Sequence, residues 1–169
     1  LEQGLRWSGL PIQGGDRAIE LGSAPGGASY ALLLRGIEVW GIDPGAMDPI
    51  VWLDPKCEKR FHHIKKAFSA LVLEDLPQSI EWLVLDINAP ARISLSYVEE
   101  MAKEFSNSLL GFILTLKIND PKHTQFIPEW IERVKEMGGV RVRATQLSSN
   151  RQEICVVALT PKGQLRLQS

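Results

Sequence analysis

Apolar residues fall into short runs separated by glycine, proline and asparagine, and the runs alternate between strand-like and helix-like periods. Arg17–Leu21 is a short apolar run with an acid near its end, followed by Gly22-Ser23-Ala24-Pro25-Gly26-Gly27. Ala28–Arg35 then reads as helix with Gly36 as its stop, and Ile37–Asp43 as the next strand. This strand–glycine turn–helix–strand unit predicts a parallel βαβ crossover. Residues 44–60 read as loop, Arg60–Phe68 as a short third strand, and Ser69–Leu76 as a short helix ended by Pro77. Ile80–Ile87 and Leu110–Ile118 are near-continuous apolar runs, as expected of central strands covered on both faces. Between them Tyr97, Val98, Met101 and Phe105 recur at helical spacing, and Ile127, Trp130, Ile131, Val134 and Met137 form a second helical stripe, with Pro128 in its first turn. Val140–Leu147 and Ile154–Thr160 are strands joined by polar Ser148–Gln152, which predicts an antiparallel pair. The first 16 residues fit no strong pattern, though Leu5, Leu10 and Ile12 are placed to pack on a sheet. The total predicts α/β architecture: a doubly wound sheet of about seven strands, mostly parallel, with an antiparallel C-terminal hairpin.

The 169 residues suit one domain, taken as 1–169. With 44% hydrophobic and 23% charged residues the chain has globular composition, which excludes a disordered tail or a fibre. Its longest apolar runs fall far short of the ~20 residues that span a bilayer, and no membrane segment or signal peptide is expected. Cys57 and Cys155 are widely spaced with no CxxC pattern, so neither a disulfide framework nor a cysteine zinc site is predicted, and a reducing cytoplasm is the default location. A net charge of −1 gives no global basic field of the kind that holds a stand-alone nucleic-acid binder.

Ligands of open parallel sheets bind beyond the carboxyl ends of the strands, next to the first strand. Gly22–Gly27 lies there, and Asp43, at the end of the second strand, is placed to accept hydrogen bonds from ribose hydroxyls. A dinucleotide site wants G-x-G-x-x-G, but here Ala24 stands at the second glycine and Pro25 has no N–H to offer a pyrophosphate. The loop suits a nucleoside with a small tail, such as S-adenosylmethionine. The alternative is a glycine turn without a ligand.

The residues at these positions resemble the FtsJ-like (RrmJ) ribose 2′-O-methyltransferases. E-L-G-S-A-P-G-G at Glu20–Gly27 is similar to the family's first motif, D-L-G-x-x-P-G-G, with Glu20 for the usual Asp. G-I-D-P at Gly41–Pro44 and M-D-P-I at Met47–Ile50 look like the segment after its second strand, and L-D-I-N-A-P at Leu85–Pro90 like its fourth-strand motif. L-T-L-K at Leu114–Lys117 and S-N-R-Q-E-I-C-V-V at Ser149–Val157 complete the order. The resemblance implies a Rossmann-like seven-stranded methyltransferase domain that binds S-adenosyl-L-methionine through Gly22, Ser23, Ala24, Pro25, Gly26, Gly27, Asp43, Met47 and Asp86. It implies a Lys-Asp-Lys-Glu site, of which Asp86, Lys117 and Glu153 are present. The family's first lysine falls in S-R-x-x-x-K-L, and Leu1-Glu2 fits directly after it. The chain looks closest to the branch that acts on large-subunit ribosomal RNA, whose members carry a separate amino-terminal RNA-binding domain. The acid that often comes after the third strand and faces adenine is replaced here by Ala67 or a neighbouring lysine.

In this reading Lys117 takes the proton of the ribose hydroxyl, which a lysine does well only when its pKa is brought to about 7–8. Asp86 orients it and lies near the sulfonium methyl, Glu153 holds the cationic cluster, and no metal is required. Taken singly, each of the three is equally an ordinary rim residue. Met47 packs either on adenine or as a gap-filling core residue, and Asp43 and Asp48 also fit plain Asp-Pro turn chemistry. His62 and His63, adjacent on a strand, make a poor metal pair, and His123 has no assigned role. Lys56, Lys59, Arg60, Lys65 and Lys66 are a solvated face or an RNA backbone contact, and an RNA strand could track Arg92, Lys122 and Arg151. The rival functions are a catalytically inactive RNA-binding module of the same fold and a nicotinamide-dependent oxidoreductase with a degenerate glycine loop.

Overall fold

Arg17–Leu21 forms β1, the strand from which the sheet grows in both directions. The computed structural model describes residues 1–55, 57, 59–148 and 152–168. On one side β1 pairs with β2 (Glu38–Ile42) and then β3 (Phe61–Ile64); on the other it pairs with β4 (Trp82–Leu85), β5 (Gly111–Lys117), β7 (Glu153–Leu159) and β6 (Arg141–Thr145). All pairings from β3 to β5 are parallel, and β7 runs antiparallel to both β5 and β6. The predicted antiparallel pair is therefore present, with the later strand wedged between β5 and the sheet edge. The fold is a Rossmann-like α/β sheet of seven strands, parallel from β3 to β5 and antiparallel at its C-terminal edge.

Side chains alternate across this sheet and feed two cores. Leu83, Leu85, Phe112, Leu114 and Leu116 pack beneath α4 (Ala91–Glu104) and α5 (Ile127–Glu136). Ala18, Trp82, Val84, Ile113 and Val157 lie on the opposite face, with α2 (Gly27–Leu33) and α1 (Glu2–Ser8). Burying strands on both faces explains their unbroken apolar runs. Pro128 sits in the first turn of α5, as predicted.

Several elements depart from the sequence expectation. The first 16 residues contain α1, whose buried residues are Gly4, Leu5 and Ser8. A Cβ at Gly4 would lie 3.1 Å from Cys155 Sγ, so close approach rather than an apolar stripe seats this helix. Leu10 and Ile12 pack on the same core, as expected. The predicted loop 44–60 holds a one-turn helix, α3 (Ile50–Leu53), and the helix expected over 69–76 is instead two 3₁₀ turns, Phe68–Ala70 and Leu73–Asp75. A final helix, α6 (Pro161–Gln168), is unpredicted because, among the described residues, Gly163 is its one buried position. A Cβ there would fall 1.9 Å from the Leu110 carbonyl oxygen. Arg166 anchors α6 by an ion pair with buried Asp16, 2.7 Å away, and Asp16 also accepts from Trp82 Nε1 at 2.8 Å. Among the described residues no helix is long and apolar enough to cross a membrane.

Candidate active site at the carboxyl edge of the sheet

Parallel strands end together, so the turns that leave β1, β2, β4 and β5 gather on one edge. Leu21 pairs with Leu85, which brings Gly22 and Asp86 side by side. Gly22 has φ +84°, and a Cβ there would lie 2.6 Å from the Asp86 carbonyl oxygen. Glycine is required at this point because the backbone is left-handed and β4's exit leaves no room.

Lys117 ends β5 and is in register with Glu153, which opens β7. The Lys117 ammonium donates to Glu153 Oε1 and lies 3.7 Å from Asp86 Oδ1. The three residues named from sequence thus form one cluster, on the sheet face that carries α1 and α2. Burial pushes the Asp86 carboxyl up from its usual range; Lys117 opposes this and the Glu153 charge adds to it. Among the described residues no group of three or more His, Cys, Asp or Glu is placed to hold a metal ion.

The glycine turn is braced from below. Ala24 N–H donates to Asp43 Oδ2 at 3.2 Å, and Gly45 N–H donates to Asp43 Oδ1 at 2.7 Å. Asp43 therefore ties the turn after β1 to the turn after β2, and each oxygen keeps acceptor capacity. Asp48 instead caps α3 through the Ile50 N–H, 2.9 Å away. Ser23 Oγ contacts Met47 Sδ at 3.6 Å, and a Cβ at Gly26 would meet Val51 at 2.5 Å and Met47 at 3.1 Å. Met47 thus packs against the glycine turn, and it is not among the described residues that line the adjacent cleft. Gly27 opens α2 with open space around it. Beneath the turn, fully buried Glu20 accepts from Ser29 Oγ at 2.5 Å, while its Oε1 has no partner among the described residues. Burial pushes this carboxyl up to about 8.

Beside the turn opens a cleft of about 210 Å³, bounded by Gly22, Asp43, Pro44, Ala67, Phe68 and Ile87. Sequence reasoning missed the aromatic wall: Phe68 stacks on Tyr97 with centroids 4.1 Å apart. Asp43 is the one acid among the described residues of this lining, and Lys66, at the cleft edge, is paired with Asp75 at 2.6 Å. The basic run around it is partly structural, since Arg60 Nη1 donates to the Leu33 carbonyl at the end of α2. His63 Nε2 donates to the Asp43 carbonyl at 2.9 Å, and His62 stacks on Trp40 of the neighbouring strand. Lys56, Ser149 and Arg151, named from sequence, lie outside the described residues.

No protein-family model matches the chain. A curated relative, ribosomal RNA large subunit methyltransferase M of Halorhodospira halophila, is 31% identical over 145 residues, covering 85% of this chain and 40% of that protein. The chain spans about two fifths of the length of the curated relatives it matches. Among solved structures, fibrillarin of Aeropyrum pernix, solved with S-adenosyl-L-methionine bound, superposes with TM-score 0.68 at 15% identity over 93% of this chain and 73% of that one. An S-adenosylmethionine-dependent O-methyltransferase of Thermotoga maritima gives TM-score 0.63 at 13% identity over 94% and 64% of the two chains. At these identities the structural likeness is one of fold. The resemblance carried by the motifs agrees with the relative's description.

Proposed function

We propose that this chain is the catalytic domain of an S-adenosylmethionine-dependent RNA ribose 2′-O-methyltransferase of the FtsJ-like kind, acting on large-subunit ribosomal RNA in the cytoplasm. The observation that carries this reading is the convergence of Asp86, Lys117 and Glu153 beside Gly22, a position that no side chain could occupy.

The residues present fit the cofactor. Asp43 has acceptor capacity for ribose hydroxyls, and Phe68 and Ile87 offer apolar walls for adenine in the cleft that Gly22 borders. Glu20 Oε1, without a partner among the described residues, leaves a hydrogen-bonding position beneath the turn. When bound, S-adenosylmethionine supplies an electrophilic methyl group on a sulfonium sulfur. Lys117, after its ammonium proton passes to solvent, takes the proton that the ribose 2′-hydroxyl sheds when its oxygen bonds to carbon. Asp86 orients Lys117 and faces the positive charge of the donor, and Glu153 fixes the lysine from the far side. Alignment of the attacking oxygen supplies several kcal/mol of the acceleration. A lysine preceding Leu1, as in the family motif, is proposed to complete the site. A separate domain outside this chain is proposed to supply most of the RNA affinity.

Calorimetric titration with S-adenosylhomocysteine, in parallel with NAD, tests the cofactor. Binding of the former alone is expected, and binding of NAD alone removes the reading. Transfer of radiolabelled methyl to deproteinised large-subunit ribosomal RNA, read as ribose resistant to alkaline cleavage, tests the reaction. Lys117→Ala is expected to lower that rate by about 10²–10⁴.

A further inference from the structure

A second cavity, of about 350 Å³, lies between the first turns of α4 and α5. Pro90 and Arg92 form one wall; His123, Phe126, Glu129 and Trp130 form the other. Pro90 pairs with Lys117 in an isolated parallel bridge, which puts the pocket at the same carboxyl edge of the sheet as the Asp86–Lys117–Glu153 cluster, on the side of α4 and α5. None of these residues lines the cleft beside the glycine turn.

Its chemistry is unusual for a surface pocket. Trp130 is buried, but Phe126 leaves 41% of its surface in water. The His123 ring leans toward Phe126, with centroids 6.2 Å apart. The Arg92 guanidinium makes no hydrogen bond or ion pair with the described residues, although the Arg92 carbonyl is held by Arg133 Nη1 at 3.2 Å. The wall is therefore fixed while its planar cation stays available. Lys122 lies exposed in the turn between β5 and α5.

We propose that this pocket receives an unstacked nucleobase of the RNA, flanking the ribose presented to Lys117; the inference rests on the methyl-transfer reading. Sequence-specific RNA recognition targets splayed bases, which stack on aromatic, imidazole and guanidinium planes. The pocket offers one of each, in Phe126, His123 and Arg92. Glu129 adds an acceptor for an N–H on the base edge, and Arg92 and Lys122 complement the phosphates on either side. A lipid or apolar peptide would use the phenyl ring but leave the guanidinium and carboxylate unpaired.

The test is amide NMR of the ¹⁵N-labelled chain titrated with uridine and cytidine 5′-monophosphates, with and without saturating S-adenosylhomocysteine. Shifts are expected at residues 91–92, 123–127 and 129–130 in both conditions. Phe126→Ala is expected to abolish them, Phe126→Trp to retain them, and Arg92→Ala to weaken them. With ribosomal RNA as substrate, Phe126→Ala is expected to raise KM for RNA about tenfold, the usual scale for one lost stacking contact, with S-adenosylhomocysteine affinity unchanged. Shifts confined to other residues, or a Phe126→Ala variant that behaves like the parent in both assays, overturn the proposal. Failure of S-adenosylhomocysteine to bind counts against the cofactor reading instead, because the nucleotide titration is also read without it.

Discussion

Lys117 and Glu153 are direct partners across the antiparallel β5–β7 ladder, and the lysine bridges Glu153 to Asp86 at the exit of the neighbouring parallel strand. One cation thus separates two partly buried carboxylates. Removing it should be felt by Asp86, whose pKa is raised by burial, held down in part by Lys117 and raised further by Glu153. In Lys117→Met the Asp86 carboxyl should titrate higher than in the parent, measured by ¹³C NMR of the side-chain carboxyl. An unchanged titration would show that the two groups are not coupled.

Gly22→Ala places a methyl 2.6 Å from the Asp86 carbonyl and 2.8 Å from Ile87 Cγ1, at φ +84°. We expect a loss of about 2–3 kcal/mol in urea unfolding, and S-adenosylhomocysteine binding weakened at least about tenfold. Gly27→Ala, with open space around its Cβ and helical backbone, is the control and should unfold within about 0.5 kcal/mol of the parent.

Glu20 gives a pH dependence with a definite sign. Its folded pKa, about 8, lies above the ordinary carboxyl value of 4.5, so between those values the folded state holds a proton that the unfolded chain has released. Its contribution to stability is therefore intact below about pH 4.5, declines as pH rises toward 8 and is lost above that. Glu20→Gln, neutral at every pH, should flatten this part of the curve and gain on the parent at pH 8.5 relative to pH 5 in thermal melts. An identical pH slope in both proteins would show that Glu20 is already ionised in the fold.

Arg166→Ala leaves buried Asp16 without its ion-pair partner. The expected cost is about 3 kcal/mol, which for a domain of this size lowers Tm by about 6–12 °C. Scanning calorimetry checks it, and Asp16→Asn in the same background should recover part of the loss.

Much of the sheet was legible because its strands are buried on both faces and read as unbroken apolar runs. Ile80–Ile87 narrows to Trp82–Leu85 but keeps its place between β1 and β5. The acid, the lysine and the glutamate were named from the motif resemblance, and in the fold the strand register brings them together. α1 and α6 were not, since Gly4 and Gly163 seat them by the absence of a side chain, which leaves no periodic signal. The cleft wall was hidden for another reason. Phe68 and Tyr97 belong to a 3₁₀ turn and a helix separated by a whole strand, and only the folded chain stacks them. In the sequence Tyr97 is one more residue of an apolar stripe, and His123 carries no signal of a role.

The clasp between Asp16 and Arg166 has a temporal side. The two residues lie 150 positions apart, and every strand of the sheet is synthesised in the interval. Until the terminal helix emerges, the nascent sheet carries a carboxylate at its foot with no guanidinium to answer it. The Asp16–Arg166 pair can therefore close only after every strand has been made. Removal of residues 161–168 would spare all seven strands and still leave buried Asp16 without its Arg166 partner.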